Sequence, residues 1–321
     1  MPISIFSNKD GLDFVLLAND VLELTFLPAH GGRLISLKHT GQEFIWVNPG
    51  YLDDDLQSIR SFASWPEPDS TMGSWVNLGG SKTWPAPQGW SSSSEWPGPP
   101  DAILDSGPYS ERHSVDSSGN MQLTMTSGED HRTGIQITRS FEVPSTGANF
   151  TQNNSFRNHS PKTRNWSIWE VCQVATRQPH FFNREGFFQV NFKHAKEPLI
   201  LFKVLGEIQY VILENDVKVP VQNVIGKIGF TNSSGVLTWN RPDGISLKME
   251  FTPSDTESYP DGGCAVELWL QYPLDRPLEM FDGLHPDAHL AEMEILSPLQ
   301  EIEPNEEINL EILWSISSMN D

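Results

Sequence analysis

Asp13-Phe14-Val15-Leu16-Leu17-Ala18-Asn19-Asp20-Val21-Leu22-Glu23-Leu24-Thr25-Phe26-Leu27 reads as two short strands around a turn at Asn19-Asp20. Val21, Glu23 and Thr25 alternate with Leu22, Leu24 and Phe26, the two-residue period of a strand with one buried face. Outward from here the same signal recurs. Pro28-Ala29-His30-Gly31-Gly32-Arg33 forms a turn, and strands follow at 34–37 and 43–47. Further strands are expected at 121–126, 135–141, 149–157, 166–175, 187–192, 199–204 and 208–213, then at 227–231, 235–239, 245–251, 263–272, 291–297 and 307–316. The connections are short and carry Asn, Gly, Asp or Pro. No amphipathic helix of three turns stands out, residues 51–63 being the best candidate for a short one. Consecutive antiparallel strands in this number predict an all-β fold of packed sheets.

Residues 50–115 interrupt the pattern with Pro, Gly, Ser and Trp and little period of either kind. A loop of that length is unusual inside a compact domain, and its tryptophans predict an ordered loop packed across a sheet. Within it lies Gly79-Gly80-Ser81-Lys82-Thr83-Trp84-Pro85-Ala86-Pro87-Gln88-Gly89-Trp90. Two glycines permit close backbone approach and two prolines stiffen the chain beyond them, presenting one cation, one amide and two indoles. Indoles beside an amide and a point charge suit a polyhydroxylated ring, whose C–H faces stack and whose hydroxyls need partners. A tryptophan-rich loop folded onto its own core accounts for the same composition.

The 321 residues are 37% apolar with 17 Phe and 11 Trp, enough for a substantial core, and 24 Gly and 24 Pro suit many turns. The reading is a single domain spanning 1–321. Twenty-one basic residues against 42 acidic ones give a net charge of −21, a field that repels nucleic acid and anionic membranes. Cys172 and Cys264 are far apart and form neither a disulfide framework nor a zinc motif. No Gly-rich phosphate loop is present, and Asp282-Gly283-Leu284-His285-Pro286-Asp287-Ala288-His289 matches no established metal spacing, so neither metal nor cofactor is expected. No signal peptide or apolar run of about 18 residues is visible, which makes a cytoplasmic protein the expectation.

Several segments resemble the galactose mutarotase-like superfamily, over most of the chain. Pro28-Ala29-His30-Gly31-Gly32-Arg33-Leu34-Ile35-Ser36-Leu37 resembles its early turn, in which paired glycines precede a strand. Gly263-Cys264-Ala265-Val266-Glu267-Leu268 is similar to the strand that carries the catalytic glutamate of aldose 1-epimerases, and Leu299 to Glu307 before Trp314 looks like the closing turn. Lys82 to Trp90, with Asp105-Ser106-Gly107-Pro108-Tyr109, resembles an uncharacterised branch. The resemblance implies a β-supersandwich, a concave-sheet pocket for a carbohydrate-like ligand, isomerase activity of the aldose 1-epimerase type, and the catalytic role on Glu267. One position departs from it. The strand that should bear a catalytic histidine reads Trp166-Ser167-Ile168-Trp169-Glu170-Val171, so Trp169 or Glu170 occupies that place.

Mutarotation needs a base and an acid on opposite sides of one C–O bond, with pKa values near neutrality. Glu267 interrupts an apolar strand, where burial would raise its pKa, although alternation would equally turn it to solvent. Glu170 stands in for the missing acid. Lys82 serves as a base, as a clamp on a substrate carboxylate, or as the ion-pair partner of Asp105. Arg33, Lys82 and Gln88 are expected to hydrogen-bond the ligand, Trp84, Trp90 and Trp169 to stack on it, and Tyr109 to join the binding surface. Two other functions remain open beside the isomerase: a non-catalytic carbohydrate-binding module, and a lyase, hydrolase or cyclase reusing the pocket.

Overall fold

The computed structural model describes residues 2–69, 71–89, 91–92, 94–177, 186–194, 196–281 and 283–318. Its strands form two large sheets in which every strand pairing is antiparallel. Across the first sheet the order is Ile3–Ser7, Asp13–Ala18, Leu22–Leu27, Arg33–His39, Ser81–Ala86, Arg164–Ala175, Leu290–Leu296, Cys264–Gln271, Ile225–Thr231 and Leu199–Leu205. Across the second it is Val211–Ile212, Asp216–Pro220, Phe187–Phe192, Ser233–Asn240, Ile245–Glu250, Glu307–Ser318, Asn149–Asn158, Ile135–Val143, Met121–Thr126 and Ser110–Val115. The two sheets face one another over the core, as where Phe26 of the first meets Phe141 of the second at 4.6 Å between ring centroids. This is the β-sandwich expected from the strand periodicity. No helix among the described residues is long and apolar enough to cross a membrane.

The hairpin at Asn19-Asp20 forms as read, with Asn19 Oδ1 accepting the backbone N–H groups of Val21 and Leu22. The 50–115 region differs from expectation at its middle. Ser81–Ala86 is a central strand, buried at every residue and paired along its length with Arg164–Ala175. A strand covered on both faces shows no alternation, so its signal is hidden. Its other flank meets Arg33–His39 only at Ser81, which leaves unpaired edge where Pro85 is tolerated. The strands at 3–7, 110–115, 216–220 and 300–302 are likewise hidden in the sequence, while 43–47 shrinks to Gln42–Glu43 and 208–213 to Val211–Ile212. The helix candidate at 51–63 yields only a 3-10 turn at Phe62–Ser64.

Glycines at the early turn seat the loop at residues 105–109. Gly32 has φ +53°, and a Cβ there would lie 2.5 Å from the Tyr109 ring; one on Gly31 would meet the Asp105 carbonyl oxygen at 2.0 Å. Their bare backbone lets that loop lie directly on the sheet.

Candidate functional site

Because side chains alternate across a strand, the first sheet presents two different polar systems on its two faces. Toward the second sheet points Glu170. It pairs with Arg139 at 3.0 Å and accepts hydrogen bonds from Ser81, Thr83 (2.6 Å), Gln152 (2.9 Å) and Asn154 (3.0 Å). Arg139 also donates to the carbonyls of Gly32 and Ser81 at 2.7 and 2.8 Å. Every member is buried and the carboxylate is saturated, so this network ties the two sheets together.

The opposite face carries a cleft of about 340 Å³, within the usual size range of small-molecule sites. Strand register places its floor. One row across the sheet reads Phe202, Lys227, Trp269, Glu292 and Gln173; the next reads Gly229, Glu267, Glu294, Val171 and Lys82. Lys227 Nζ lies 2.5 Å from Glu267 Oε2 and 2.9 Å from Glu294 Oε2. It also stands 4.5 Å from the centroid of the Trp169 ring, whose Nε1 donates to Glu294 Oε2 at 2.7 Å. Trp84 meets Trp169 edge to face at 5.3 Å, and Trp75 and Trp269 complete the indole walls.

These surroundings set the protonation states. Burial pushes the carboxyls of Glu267 and Glu294 well above the ordinary range, against the pull of Lys227. Burial also works against the Lys227 ammonium, but the two glutamates outweigh it and hold its pKa above the usual value. With both carboxylates ionised the buried trio would carry one excess negative charge; one retained proton makes it neutral. A proton donor and a proton acceptor therefore sit side by side at the floor.

Lys82 is placed differently. Its Nζ is buried and makes no hydrogen bond; the nearest carboxylate, Glu292 Oε1, is 3.8 Å away, and the rings of Trp84 and Trp75 lie at 5.0 and 5.6 Å. Burial pulls its pKa down to about 8. The Lys82–Asp105 ion pair, one of the three roles open to this lysine in the sequence, does not form, because Asp105 is taken by others. Arg33 Nη2 contacts its Oδ1 at 2.6 Å, and the indole N–H groups of Trp84 and Trp75 donate to it at 3.2 and 2.9 Å.

Of the residues expected at the site, Trp84, Trp169 and Gln88 line the cleft, and Glu267 and Lys82 lie just beneath its lining. Trp90 lies outside the described residues. Three are placed elsewhere. Glu170 is on the opposite face from its neighbour Trp169, so Trp169 alone of the pair reaches the cleft. Arg33 is consumed by Asp105 and the carbonyl of Gly79 at 3.0 Å. Tyr109 is buried against Gly32 and donates its hydroxyl to the Leu104 carbonyl at 2.9 Å. His30 is buried too, edge to face with Trp65, and burial followed by the charge of Arg33 lowers its pKa to about 3. Among the described residues no histidine lines the cleft. Lys227, Glu292, Glu294, Trp75, Trp269 and Gln173 were not expected there. Lys227 and Glu294 carry the signal that singled out Glu267, a charge inside an apolar strand.

Residues 12–317 match a family described as a domain of unknown function (DUF4380). No curated protein matches the chain. Among solved structures, a galactose mutarotase-like protein from Clostridium acetobutylicum superposes with a TM-score of 0.61 at 11% identity, over 99% of this chain and 98% of its own. A galactose mutarotase-like protein from Lactobacillus casei gives 0.56 at 11%, over 95% and 100%. A TPR-domain containing protein from Parabacteroides distasonis gives 0.57 at 14% over 95% of this chain, which spans only 47% of that protein. At these identities the likeness is one of fold, and the fold is that of the galactose mutarotase-like proteins.

Proposed function

This chain belongs to the DUF4380 family, and we propose that its cleft binds a sugar or related polyhydroxylated ring and interconverts its anomers, as an isomerase of the aldose 1-epimerase type. The observation that carries this reading is Lys227 held between Glu267 and Glu294 at the floor of an indole-walled cleft. Indole faces stack on the C–H faces of a ring, and the floor supplies hydrogen bonds to its hydroxyls. Glu294, which lines the cleft, takes the proton of the anomeric hydroxyl as the bond between the anomeric carbon and the ring oxygen breaks. Lys227 gives a proton to the ring oxygen and regains one from protonated Glu267. The open-chain aldehyde rotates about its first carbon–carbon bond and recloses by the reverse transfers. Glu267, shut behind Lys227, thus acts through it rather than on the ring.

A non-catalytic sugar-binding module is the second reading. The absence of a histidine among the described lining residues favours it. Both readings require ring binding, which titration of D-galactose and D-glucose against tryptophan emission tests. A saturable change that is lost in Trp169→Ala is expected; no saturable change with either sugar or with other cyclic polyols would remove both.

A further inference from the structure

The polarity of the cleft changes with depth. Its floor holds Lys227, Glu292 and Glu294, whereas its mouth is formed by Met72, Phe202, Met280, Phe281 and Leu284. An aromatic ladder joins the two levels. Trp269, beside Lys227 in the sheet register, meets Phe281 edge to face at 5.8 Å, and Phe281 meets Phe202 at 6.1 Å. At the outer end the apolar groups are open to solvent: Phe202 is 50% and Met280 68% exposed. Leu199 and Leu205, opposite Gly229 and Ile225 in the register and so on the same face as Phe202, continue the exposed surface along this edge strand.

A free monosaccharide carries hydroxyls around its whole rim and has nothing to offer Phe202 or Met280. Large exposed apolar side chains gathered at one place mark a surface that something covers. Here the track runs inward to the polar floor, and a net charge of −21 opposes a second copy of the chain. We infer that the ligand is amphipathic, a polyhydroxylated ring bearing an apolar chain, with the ring over the floor and the chain lying along Trp269, Phe281 and Phe202 toward Met280. The inference rests on the ring-binding reading and specifies its substrate class. The apolar group sits on a ring position other than the anomeric one, whose hydroxyl must stay free.

The test compares 6-O-acetyl with 6-O-octanoyl esters of D-galactose and D-glucose, below their micelle concentrations, by tryptophan emission. The octanoyl ester should bind at least tenfold tighter, since each further methylene leaves water. In the Phe202→Ser/Met280→Ser double variant, which removes only exposed side chains, that ratio should fall toward one. Equal affinities for the two esters in the natural chain would overturn the inference while leaving ring binding intact, and failure of every ester and free sugar would overturn both. A gain that survives the double variant would remove the proposed track. Sedimentation showing a dimer that Phe202→Ser dissociates would assign the surface to a second copy and likewise overturn the inference.

Discussion

Lys82 and Lys227 leave the same sheet face and meet opposite fates. Lys227 has two carboxyl partners; Lys82 has ring faces and a carboxylate beyond hydrogen-bond reach. Burial lowers the Lys82 pKa to about 8 from an ordinary 10.5, and this fixes the sign of its pH dependence. Below pH 8 the folded and unfolded chains both carry the ammonium, so the full cost of burying it is borne. Between pH 8 and 10.5 the folded chain releases a proton that the unfolded chain keeps, and stability rises with pH. Lys82→Met should therefore stabilise at pH 7 by on the order of 1–3 kcal/mol, an advantage that shrinks above pH 8 and vanishes near 10.5. Urea unfolding at pH 7 and pH 10 checks this, and destabilisation at pH 7 would contradict it. In the sequence, a charge inside an apolar strand singles out Glu267 but leaves burial and solvent both open, and the fold buries it. It cannot say which face Glu170 takes, because that depends on the phase of one residue. Glu170→Gln should therefore cost roughly 3 kcal/mol, by leaving Arg139 without its counter-charge, and spare activity per folded molecule. Paired denaturation and activity measurements on that variant separate the two effects.

At the scale of elements, Asp105 is the fastening of the loop. It joins Arg33 from the early turn to the indoles of Trp75 and Trp84, which form cleft wall. Asp105→Ala should leave a buried guanidinium without its counter-charge and two indole N–H groups without partners, and cost about 3–5 kcal/mol. Chemical denaturation reads that loss, and weakened sugar binding in the protein that still folds should accompany it. Alternating strands such as Leu22–Leu27 and Ile135–Val143 are legible in the sequence because each has one wet or polar face. Ser81–Ala86 is not, because it is buried on both faces and carries a proline. Lys82 and Trp84 thus stand out as site residues while the element presenting them reads as a loop.

Over the whole molecule, the division of labour follows from the two faces of one sheet. The inner face uses Glu170, paired with Arg139 of the opposing sheet, to join the two sheets, and the outer face gathers Lys227, Glu267 and Glu294. The sandwich and the place of Glu267 in it are legible from periodicity and from a family resemblance. The trio is not, since Lys227, Glu267 and Glu294 come from three strands whose neighbourhood only the sheet order creates. The most direct test of the account is one-dimensional NMR of freshly dissolved α-D-galactose and α-D-glucose, tracking anomeric equilibration with the natural chain, Glu294→Gln and Glu267→Gln. The account predicts acceleration of at least one sugar, reduced by roughly 100-fold or more in each folded variant. Equilibration at the buffer rate, by a protein that binds the sugar, would contradict catalysis by the trio and leave a binding module.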